Sequence, residues 1–126
     1  MAGCGSPPGV IFDPADSIHR WPLAPDHARI AYIGQVRSDA DLRPARGGLQ
    51  GIGEALFGKE PPHAMLRPMA VCTDGGDRVF VADSDARLVH VFGLTTRKYQ
   101  RWQPPKDARP FAQPVALAYD AVDGRL

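Results

Sequence analysis

The chain has 126 residues, 44% of them hydrophobic, and a net charge of +1. That is enough apolar matter for one ordinary domain core, and too little charge for a strongly electrostatic partner such as a nucleic-acid backbone. Thirteen glycines and thirteen prolines favour short strands and loops over long helices, and no stretch has the run of apolar residues needed to cross a bilayer.

In chain order, Met1-Ala2-Gly3-Cys4-Gly5-Ser6 resembles the end of a bacterial lipoprotein signal, in which small residues precede a cysteine that receives lipid. The basic and apolar regions of such a signal are absent; a start placed too far downstream accounts for that, and a chance match is the alternative. Residues 1–28 are expected to be a tether and lead-in, with the Pro-rich Ser6-Pro7-Pro8-Gly9 and an extended Trp21-Pro22-Leu23-Ala24-Pro25. Residues 29–65 are expected to hold a strand over Ile30 to Val36, a polar loop from Asp39 to Arg46 and one short helix at 48–57. The helix rests on Leu49, Ile52, Leu56 and Phe57, an amphipathic stripe followed by Gly58 as C-cap and Pro61-Pro62 as a stop.

Residues 66–102 contain four β-prone runs, Met69–Thr73, Arg78–Ala82, Leu88–Phe92 and Lys98–Trp102, joined by three short connections. That spacing predicts a four-stranded antiparallel meander. Asp74-Gly75-Gly76-Asp77 tolerates positive φ, Asp83-Ser84-Asp85-Ala86 offers side-chain oxygens to nearby N–H groups, and Gly93 opens the third turn. The continuously apolar Val79-Phe80-Val81-Ala82 is expected to be covered on both faces. Lys98 to Trp102 alternates and carries charge, as at a rim. Val79, Val81, Val89 and Val91 are expected at the sheet centre.

After a linker at 103–113, the pattern returns at 114–126. Pro68-Met69-Ala70-Val71-Cys72-Thr73-Asp74 recurs as Pro114-Val115-Ala116-Leu117-Ala118-Tyr119-Asp120, and Asp77-Arg78-Val79 as Asp123-Gly124-Arg125-Leu126 with one residue inserted. The period of 46 residues suits propeller blades. The pattern of Pro68, Val71, Asp74, Gly76, Val79 to Ser84 and Val91-Phe92 resembles the NHL repeat family, over one full repeat and the first third of another. It departs at Gly93, where an Asp often follows the Phe. The resemblance implies an all-β fold: one propeller blade and the start of a second, with Asp74, Gly76, Asp83, Ser84, Asp120 and Gly124 as repeat-turn residues. It also implies that Ile30 to Val36 closes a propeller, with a local edge strand as the alternative. The helix reads as a plug or cap on the propeller face, against the alternative of a membrane-surface helix, which would carry Lys and Arg on its polar face.

Side chains that carry chemistry give little. Cys4 and Cys72 make no disulfide framework, and Cys72 reads as a small buried hydrophobe. His19, His27, His63 and His90 lack metal-ligand spacing, and His90, between Val89 and Val91, reads as a packing residue. Asp74, Asp83, Asp85 and Asp120 fall at strand ends, where turn capping competes with the axial calcium site of some propeller enzymes. No phosphate loop, nucleophile elbow or catalytic carboxylate pair is present in the sequence, and no cofactor or metal is expected.

These readings give a non-enzymatic binding or scaffold module, extracytoplasmic or periplasmic, with a protein, peptide or glycan ligand, no nucleic acid, and a membrane link only through a lipid at Cys4. A propeller hydrolase or lyase with an axial metal in other blades, and a gene fragment without function of its own, are the alternatives. Because stacked repeats need about three units for stability, the isolated chain is expected to be marginally stable, self-associating and without catalytic activity.

Overall fold

Between residues 68 and 93, runs rich in β-branched and aromatic residues, closed in turn by Asp74, Asp83-Ser84 and Gly93, become strands in the order they occur. The computed structural model describes residues 9–12, 19–44 and 61–126, in two units: residues 1–36 with 43–59, and residues 37–42 with 60–126. Cys4 and the helix expected at 48–57 lie outside the described residues.

In the first unit β1 (Arg20–Trp21) pairs antiparallel with β2 (Ile30–Ala31), Arg20 opposite Ala31 and Trp21 opposite Ile30. Two expectations are corrected here. The Trp21 to Pro25 stretch turns instead of running straight, with Asp26 N–H donating to the Leu23 carbonyl at 3.2 Å. The strand expected to reach Val36 covers only Ile30–Ala31 and joins the two-stranded sheet, not the larger one. Pro22 has no N–H to extend the ladder on one side, and Gly34, at φ +138°, leaves strand geometry on the other.

The second unit holds β3 (Pro68–Thr73), β4 (Arg78–Asp83), β5 (Leu88–Gly93) and β6 (Tyr99–Trp102), an antiparallel meander in the order β3-β4-β5-β6. The four expected strands are all present. Paired residues share a side of the sheet, so register sorts the side chains. Cys72, Phe80, Val91 and Gln100 lie on one side, with Ala70, Ala82, Val89 and Trp102 next to them. On the other side lie Thr73, Val79, Phe92 and Tyr99, then Val71, Val81, His90 and Arg101.

The first side holds the core of Phe80, Val89 and Val91, against which Cys72, Leu117 and Tyr119 pack. Tyr119 stacks on Phe80 at 5.7 Å, and Trp102 tilts over it at 5.4 Å. The second side is covered unevenly. A 3-10 helix (Asp39–Leu42) lies against β5, with Leu42 buried. The polar loop expected from Asp39 is therefore corrected to a helical turn over its first four residues. Its cause is a reciprocal cap: Asp41 N–H bonds the Ser38 carbonyl, while the Asp41 carboxylate accepts Ser38 N–H at 3.0 Å and Arg37 N–H at 2.7 Å.

β4 and β5 are the two inner strands, so Val79, Val81, Val89 and Val91 stand at the sheet centre as expected, but the two strands are not equally covered. All six residues of β5 are buried, whereas Val79 and Val81 of β4 are only half-buried, which corrects the expectation that the Val79 to Ala82 run is covered on both faces. Val79 and Val81 project to the second side, where the 3-10 helix packs on β5. In β4 it is Phe80, Ala82 and Asp83 that are sealed.

Candidate functional site

The most buried polar group of the sheet is Asp83, at the end of β4, fully excluded from solvent. Its carboxylate accepts Leu66 N–H at 2.6 Å, Arg67 N–H at 3.0 Å and Ala86 N–H at 3.0 Å, and His90 Nε2 lies at 3.2 Å. Burial alone raises a carboxyl pKa; here the N–H donors of Ala86, Leu66 and Arg67 and the His90 ring outweigh it, and Asp83 ends below its usual range. Arg67 N–H and Leu66 N–H belong to the segment entering β3, and Ala86 to the β4–β5 turn. One carboxylate thus fixes where the first strand starts and how the second hairpin turns.

An ionised Asp83 requires the His90 proton on Nε2, which leaves Nδ1 as acceptor for the Tyr99 hydroxyl at 2.7 Å. Burial lowers the His90 pKa and pushes that of Tyr99 up to about 12. The Tyr99 ring also tilts against His63 at 5.3 Å, whose N–H donates to Asp39 Oδ1 at 2.7 Å. Asp83, His90 and Tyr99 form a line across three strands in the order of an acid–base relay. Its hydroxyl end donates inward, and the line cross-links β4, β5 and β6. His90 is a packing residue, as the sequence suggests, with two polar partners that the sequence pattern alone does not disclose. Alternation does place Asp83, His90 and Tyr99 near one another once the hairpin registers are fixed, and that is the signal from which the line could be found.

The other turn residues lie apart from this line. Asp74 stands at the opposite end of β4, accepting Gly76 N–H at 2.9 Å, Arg78 N–H at 3.0 Å and Arg78 Nε at 2.7 Å. The Arg78 guanidinium, with Gly76 N–H, holds its pKa down at about 2. In the last turn the Asp120 carboxylate accepts Val122 N–H at 2.8 Å and Asp123 N–H at 3.3 Å, with Gly124 at φ +66°. Asp74 and Asp120, 46 residues apart, thus close their turns with the same side-chain bond. Ser84 donates its hydroxyl to the Pro114 carbonyl at 2.8 Å, tying the second copy to the end of β4. Asp85 lies 3.8 Å from Arg67 at the surface.

Asp77, which the sequence assigns only to the first turn, organises the third. Its backbone carbonyl accepts Leu94 N–H at 3.0 Å, and its carboxylate accepts Thr95 N–H and, at 2.7 Å, the Thr96 hydroxyl. Hydrogen bonds from Thr95 and Thr96 keep the Asp77 pKa low.

Cys72 is half-buried, a free thiol raised in pKa by its burial. Among the described residues no group of His, Cys, Asp or Glu could hold a metal ion, and no helix is long and apolar enough to cross a membrane. One concave surface is largely apolar: a groove of about 460 Å³ between Val89, Trp102, Pro104, Phe111 and Leu126, with Arg125 on its rim. No family model, curated protein or solved structure matches the chain.

Proposed function

We propose that the chain is part of an NHL-type β-propeller that acts as a non-enzymatic binding or scaffold module outside the cytoplasm, where a lipid at Cys4 would tether it. The observation that carries this reading is the placement of the second sequence copy. Residues 114–120 do not extend the meander edge to edge. They lie on its face, with Leu117 and Tyr119 on Phe80 and Pro114 bonded to Ser84. Face-on stacking of successive sheets is the packing of radial repeats. The carboxylates of Asp74, Asp83 and Asp120 are engaged by N–H donors of their own turns, which supports turn capping over an axial ion. A protein, peptide or glycan bound at an exposed surface is the function that goes with this reading.

Replacing residues 114–126 by a second copy of 68–113 tests the architecture. Repeats that stack gain stability from each added interface, so the urea midpoint and the steepness of unfolding should both rise; an unchanged or lower midpoint would reject the propeller reading. Peptide and glycan arrays then test binding by the extended protein, and calcium-dependent hydrolysis of esters or lactones would replace the scaffold reading with the enzyme one.

A further inference from the structure

We draw no further inference here: the strongest candidate, the exposed apolar face that Trp21, Ile30 and Tyr32 form on one side of the two-stranded β1–β2 sheet, carries nothing, because nothing in the structure shows what covers it.

Discussion

Asp77 and Gly93 meet across two turns. A Cβ on Gly93 would stand 3.0 Å from Asp77 Oδ2 and would collide with the Thr96 hydroxyl that this carboxylate holds. The turn after β5 is therefore capped from outside, by the β3–β4 turn, and the cap needs the space of a missing side chain.

Gly93→Ala should then cost about 1–3 kcal/mol, the range for forcing a methyl into filled space. Asp77→Ala frees part of that space, so the two substitutions together should destabilise by less than their sum. Urea unfolding of both single variants and the double variant measures the coupling; strict additivity would mean that the turn does not depend on the pair.

Tyr99→Phe deletes one oxygen and leaves His90 Nδ1 buried without its donor. A buried acceptor left unpaired costs about 1–3 kcal/mol. Asp83→Ala strips the acceptor from three backbone N–H groups and from His90, and should cost more than Tyr99→Phe, because several buried donors lose their partner at about 1–3 kcal/mol each. Thermal unfolding ranks the two; equal midpoints would show that Asp83 is not the hub of the line.

In the four-stranded meander, sheet order, strand limits and turn positions were legible because alternation and Asp/Gly punctuation are local signals. The side on which β4 is covered was not legible, since it depends on a 3-10 helix more than twenty residues upstream in sequence. The Ser38-x-x-Asp41 cap that builds this helix is itself a local signal, carried within four consecutive residues. Asp77 is hidden for a different reason: its own turn explains an Asp and a Gly together, so nothing in that turn suggests that the carboxylate is used by another. Gly93, in turn, reads as a lost cap and is the opening through which a cap arrives.

The uneven cover predicts which valines matter. Val91→Asp places a charge in the sealed core beside Phe80. An unpaired buried charge costs several kcal/mol, comparable to the whole stability of a small domain, and the sheet should unfold. Val81→Asp sits on the half-covered side, where the carboxylate can reach water, and should leave a folded, weakened protein. Far-ultraviolet circular dichroism with urea unfolding separates them, and equal loss of structure in both variants would mean that β4 is sealed on both sides after all.

Acid should loosen the same line from His90 outward. The folded-state pKa of His90 is lowered by burial, so below the free value of about 6.5 the unfolded chain takes up a proton that the folded one resists. Stability from this group is intact above that value and is lost as pH falls towards the lowered pKa. Asp83, also lowered, acts in a second window: its contribution is intact above about 4, the ordinary carboxylate value, and disappears as pH falls through its folded-state pKa. Both signs agree, so urea midpoints should decline in two stages between neutral pH and strong acid. His90→Gln removes the upper stage and leaves the lower, because the residue that titrates first is gone while Asp83 keeps its backbone donors. A midpoint that stays level from pH 7 to pH 5 in the parent chain, or an upper stage that survives in His90→Gln, would show that His90 does not carry the change.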